Sequence, residues 1–188
     1  MPAPFTPIII ATATAGIGWL FQNRSATIAN EREHRKTEIA RAQEVLKEVS
    51  HATDTLHYYL RNGAMYAAIR KATNDETRAK DDEQTWNGYE NAVLQWKSHR
   101  TRFAAQVKRY FGNDLLDCLL AVQSVFDQAE DDVEHTYYKT RKSLATADCK
   151  ANVRRYNERL DALEGPLMRL SELMIQEIQN ENVGALRS

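Results

Sequence analysis

Glycine and proline, the residues that punctuate a chain, are scarce here: 7 glycines and 4 prolines in 188 residues. Pro2, Pro4 and Pro7 all precede residue 8, and no proline falls between Ile8 and Gly165. Hairpins and tight turns draw on these residue types, so their near-absence argues against strands and for long helices. Cysteine is scarcer still, with Cys118 and Cys149 alone. Each falls near the start of a successive helix, so an antiparallel pairing separates them by roughly 35 Å at about 1.5 Å per residue. A disulfide needs Cα atoms within about 7 Å. Both are therefore expected as free thiols, which fits a reducing compartment. A dominant charge is missing as well: the net charge is −1 with 27% charged residues, so nothing draws the chain globally to nucleic acid.

Catalytic signatures are equally absent. The chain has no nucleophile elbow, Walker loop, dinucleotide fingerprint or zinc spacing. A Gly-poor body cannot supply the usual phosphate cradle, and no cofactor is expected. Internal repeats and low-complexity tracts are also lacking.

The N-terminus carries what the rest of the chain does not. Residues 1–23 are uncharged, and the stretch from Pro7 to Phe21 is the chain's only long apolar run. Thr6 as N-cap and Pro7 at the first helical position start a helix well. From Pro7 to Phe21 such a helix covers only about 22 Å, against about 30 Å of bilayer hydrocarbon. Trp19 near its end suits a membrane interface. The expectation is a single membrane-spanning anchor, with the membrane as one partner. Two alternatives stay open. Ala11-Thr12-Ala13 and Ala13-Thr14-Ala15 read as signal-peptidase sites, although no basic residue precedes the apolar block; cleavage there would make the chain a secreted or periplasmic bundle. An apolar arm covered by a partner is the other. The basic residues Arg24, Arg32, Arg35 and Lys36 follow the segment and none precedes it. The positive-inside rule then places the N-terminus outside and the main domain in the cytoplasm. Small residues four apart, Thr12 with Gly16 and Thr14 with Gly18, form a face through which two such helices could approach, a route to a homo-oligomer.

Periodicity predicts the fold beyond. Apolar positions three and four apart run through Ile39, Ala42, Leu46, Val49, Thr53, Leu56, Leu60, Gly63 and Ala67. The rhythm recurs at Trp86, Tyr89, Val93, Trp96, Arg100, Phe103, Val107 and Tyr110. Two further seams follow, from Leu115 through Leu119, Val122, Phe126 and Ala129 to Val133, and from Val153 through Tyr156, Leu160, Leu163, Leu167 and Leu170 to Met174. Four amphipathic helices of this kind predict an all-α, antiparallel four-helix bundle with coiled-coil-like seams. Gly112 is the natural residue beyond a helix end, with Asn113 or Asp114 starting the next. Gly165-Pro166 is expected to kink or break the last helix. The resulting organisation is an anchor over residues 1–23, a charged helical stalk over 24–40 and the bundle over 41–188. Folding back the hairpins sets Tyr110 level with about Leu46, and Arg100 level with about His57 and residue 125.

The bundle offers few candidate sites. Arg100 occupies a seam and is a buried-charge candidate, with Asp127 as one partner. Metal ligation is the best enzyme-class hypothesis, since bundles host carboxylate and imidazole ligands on facing helices. His51, Asp54 and His57 share one side of a helix, and Glu31/His34 and Asp132/His135 have i, i+3 spacing. These clusters fall at different levels, which argues against a shared ion and leaves His51, Asp54 and His57 as weak candidates. Lys97, Arg100, Arg102, Lys108 and Arg109 lie on one helix, close to the membrane end, and Asp127, Glu130, Asp131, Asp132 and Glu134 on the next, away from it. That arrangement reads as complementary solvated faces before it reads as a lipid-binding surface. The expectation is a non-catalytic, membrane-anchored interaction module or scaffold that binds another protein and no nucleic acid. The alternative is a ligand- or metal-binding sensory or enzymatic bundle.

Overall fold

The computed structural model describes residues 6–73, 79–142 and 146–187, with side chains for 22–70, 80–137 and 151–187. Every extended element in this part is helical: α1 (Thr6–Tyr59), α2 (Met65–Thr73), α3 (Ala79–Phe111), α4 (Asn113–Lys142) and α5 (Thr146–Gln179), with a last 3₁₀ turn at Gly184–Leu186. Helices α1, α3, α4 and α5 form the antiparallel bundle: α1 packs on α3, α3 on α4, α4 on α5, and α5 back on α1. Apolar spacing explains the assembly. The α4 seam from Leu115 to Val133 is buried throughout, and Tyr156, Leu160, Leu163, Leu167, Leu170 and Met174 bury the matching face of α5. Trp96 fills the centre, its ring edge-on to Phe126 at 5.3 Å between centroids and tilted against Phe103 at 6.1 Å.

The first helical segment differs from its seam. Leu60–Ala64 is a widened turn in which Asn62 (φ −93°, ψ 17°) and Gly63 (φ +138°, ψ 4°) leave helical geometry. Only a residue without Cβ takes the Gly63 conformation cheaply. α1 therefore ends here, and α2 leans onto α4 and α3. The Leu60 carbonyl at the break accepts a hydrogen bond from the Tyr156 hydroxyl of α5 at 2.6 Å. Close approach of α1 to α3 is set by Gly88, where a Cβ would collide with the Tyr59 ring. The register between α1 and α3 also differs from the simple fold-back. Arg102 pairs with Glu48 at 2.9 Å, and Tyr110 lies beside Gly184, which in turn touches Glu38. Tyr110 thus sits nearer the level of Glu38 than of Leu46.

Gly165 and Pro166 do not interrupt α5, which runs through both. Pro166 and Ala162, four residues earlier, are both exposed. The carbonyl freed by the missing proline N–H thus faces water and needs no protein partner. Gly112, with φ +87°, ends α3: its N–H bonds the Lys108 carbonyl at 3.1 Å, and its own carbonyl receives the Leu116 N–H at 3.2 Å.

At the other end α1 leaves the bundle. Residues 22–36 are exposed without exception, and burial begins at Thr37 and Glu38. Fifteen residues of unaccompanied helix extend about 22 Å. Among the described residues no helix is long and apolar enough to cross a membrane. Side chains before residue 22 lie outside the described set, and with them the small-residue face Thr12, Thr14, Gly16 and Gly18.

Candidate functional site

The candidate features occupy two regions: the helical arm with its base, and the ion-paired flanks of the bundle. Arg100 is not a buried charge. Its side chain is 44% exposed and meets Asp127, 47% exposed, at 3.4 Å. A long side chain leaving a seam carries its head to water while its stem covers apolar surface. The charges that the fold does bury were not marked by any seam. Glu130 of α4 is buried and holds the Lys97 ammonium of α3. Burial keeps the Glu130 carboxyl above its usual range although the lysine pulls it down, and the same bond pushes Lys97 up. Asp82 receives the guanidinium of Arg70 in a two-pronged contact between α2 and α3. Arg159 of α5 reaches Asp132 of α4 at 2.6 Å. Much of the basic set on α3 and the acidic set on α4 is thus spent on cross-helix ion pairs.

The metal candidates do not converge. His51 and Asp54 are exposed, while His57 is half-buried with Nε2 unpartnered. Burial lowers the His57 pKa from 6.5, outweighing the upward pull of Glu164. Among the described residues no group of three or more His, Cys, Asp or Glu side chains is placed to hold a metal ion. Asp131, Asp132, Glu134 and His135 line a shallow acidic depression, and Asp132 there is already committed to Arg159. Glu31 and His34 stand exposed on the arm. Cys118 is a half-buried free thiol, and the Cys149 side chain lies outside the described residues.

A groove of about 600 Å³ runs between α2 and α5, floored by Ile69 and Val153 and edged by Tyr66, Arg154, Glu158 and Asp161. Nothing in it converges as a catalytic group would. Glu158 is bound to Arg154 at 2.8 Å, and Asp161 to Arg61 at the α1 break.

Sequence reasoning missed the base of the arm. Glu38, only 3% exposed, accepts a hydrogen bond from the Ala185 N–H at 3.1 Å and faces Arg41 at 3.4 Å. Arg35, one turn toward the arm, meets Glu181 at 3.2 Å. The C-terminal residues 180–187 therefore fold back onto the point where α1 becomes solitary. The signal that could have found this is the pair Val183-Gly184, an apolar residue and a glycine just past a helix end.

Comparison with protein-family models, with curated proteins and with solved structures finds no match to this chain.

Proposed function

We propose that this chain is a tethered interaction module: a non-catalytic helical bundle held away from a membrane by its N-terminal helix, acting through contacts with another protein. The observation that carries the reading is the 15-residue exposed stretch of α1, residues 22–36. A helix that buries nothing over four turns gains no packing energy there, so its role is one of reach rather than of stability. Toward the bundle it carries charge, and toward the N-terminus it continues into the apolar segment between Pro7 and Phe21.

That segment is shorter than the usual span. Short apolar helices are accommodated by local thinning of the bilayer or by self-association, and the latter would use Thr12, Gly16, Thr14 and Gly18. Arg24, Arg32, Arg35 and Lys36 on the arm favour the cytoplasmic side for the bundle. The arm is longer than two Debye lengths at physiological salt, roughly 8 Å each. An upright arm would therefore hold the basic residues of α3 beyond the reach of lipid charge, which leaves protein contact as the work of the bundle.

Carbonate extraction tests the anchor. The full chain should stay with the membrane pellet, while a chain starting near Arg24 should be soluble and helical. Recovery of the full chain in the soluble fraction without detergent would refute membrane attachment. Protease added outside intact cells should leave the bundle whole, and digestion there would reverse the orientation.

A further inference from the structure

The C-terminal residues make a specific structure. α5 ends in a Schellman motif: the Asn182 N–H bonds the Glu177 carbonyl at 2.9 Å and the Glu181 N–H bonds the Ile178 carbonyl at 3.1 Å. The left-handed position of that motif belongs to glycine in most proteins, yet here Glu181 occupies it with φ +54°. A non-glycine residue in this region costs about 1–2 kcal/mol. What Glu181 supplies in exchange is a carboxylate for Arg35 on α1.

Val183 then points inward and is fully buried. Gly184, at φ +55°, lies so close to the Glu38 carboxylate that a Cβ would overlap it, and the Tyr110 ring closes the other side. The 3₁₀ turn presents the Ala185 N–H to Glu38, and the Arg187 guanidinium settles where a Cβ on Gly112 would stand. Eight residues thus touch three separate elements: the base of the arm through Arg35 and Glu38, α3 through Tyr110, and the α3–α4 turn through Gly112.

We propose that residues 180–187 form a clamp that couples the arm to the α3–α4 turn, so that arm and bundle move as one body only while the clamp is seated. Without it α1 between Arg35 and Arg41 would lose the side that faces Val183, Gly184 and Ala185. The point at which the helix starts to fray would move inward by about two turns. The clamp is a local unit of low independent stability, made of one buried carboxylate, one buried valine and a strained helix end. A ligand that lifted it would free the arm, and movement imposed on the arm would be felt at Gly112. This inference concerns the arm's mechanics and holds whatever the arm's far end attaches to.

Hydrogen exchange on the full chain, read residue by residue, tests it from both sides, because a coupling free energy acts in both directions. Gly184→Val places a β-branched side chain at positive φ against Glu38. It should reduce protection of the amides of residues 34–41 by about tenfold and leave α4 between Leu119 and Ala129 unchanged. Glu38→Ala, made on the arm side, should in turn reduce protection of the Leu186 and Arg187 amides, which bond Val183 and Gly184 carbonyls. If each substitution affects only its own side, the clamp is overturned. A uniform loss across all helices would overturn it too, since the tail would then be a general part of the core.

Discussion

The hydroxyl of Tyr156 on α5 donates to the backbone carbonyl of Leu60, the first residue of the break after α1, across 2.6 Å. The bond is buried, so water does not stand ready to replace it. Burial accordingly pushes the Tyr156 phenol well above its ordinary range. Tyr156→Phe keeps the ring and removes this donor from a buried carbonyl. The expected loss is about 1–3 kcal/mol, measured as a shift in the urea midpoint with unchanged slope. An unshifted midpoint would mean that the break holds itself open without Tyr156.

Gly63 gives an independent test of the same break. A Cβ there would meet only the Thr85 methyl at 3.5 Å, an ordinary contact, so space is no obstacle. The obstacle is φ +138°. Gly63→Ala should destabilise by about 1–3 kcal/mol through backbone strain alone. Calorimetry would show this as a lower melting temperature, and an unchanged one would mean that α1 can continue straight into α2.

Two buried groups on α3 should respond in opposite directions. Trp96 is 1% exposed, and Trp96→Ala should cost about 3–5 kcal/mol as a cavity opens against Phe103 and Phe126. Tyr89 is buried with an unpartnered hydroxyl, and its phenol is pushed upward first by burial and next by Glu130. Tyr89→Phe removes an unsatisfied polar atom at constant shape and should be neutral or stabilising by up to about 1 kcal/mol. Denaturant titration of both variants is the check, and a destabilised Tyr89→Phe would point to a water bound at that hydroxyl. Replacing the exposed His51 and Asp54 should change stability by about 0.5 kcal/mol or less each.

His57 sets a pH dependence. Burial lowers its folded pKa below 6.5, so as pH falls through 6.5 the unfolded chain takes up a proton before the folded chain does. Stability from this residue is complete above pH 6.5, falls as the pH drops below it, and levels off once the folded pKa is passed. Glu164 on α5 and Asp54 on α1 oppose the shift, and Arg61 reinforces it. Melting temperatures between pH 5 and 7.5 should therefore fall toward acid, and His57→Gln should flatten part of that slope. An identical slope in the variant would assign it to other groups.

The parts of this fold that were legible in the sequence are those governed by helical spacing alone. The α4 seam from Leu115 to Val133 is buried position for position, and Gly112 marks its turn because no other residue makes that cap as cheaply. Spacing cannot tell a seam glycine from a break, so Gly63 read as one more step in a continuous helix. The register across α1 and α3 also differs from the simple fold-back, and Arg102 meets Glu48. At Gly165-Pro166 the helix does not break: the carbonyl that loses its donor lies on a side that faces water, which spacing alone does not reveal. Arg100 keeps the rhythm of a seam but has the length to leave it. The clamp was illegible because it depends on Glu181 taking a backbone conformation that composition alone would not assign to glutamate.

The arm has one further property, which follows from where its helix begins. A free peptide of 15 residues would spend much of its time as coil, because the first turn of any helix is costly to form. Residues 22–36 avoid that step by growing from a turn already held in the bundle. They can unwind and rewind against that held turn without a fresh nucleation step. Wound, they reach about 22 Å; fully drawn out at up to about 3.3–3.6 Å per residue, they reach roughly 50 Å. Tension on the far end is therefore answered first by lengthening of the arm, turn by turn, before the packing around Trp96 gives way.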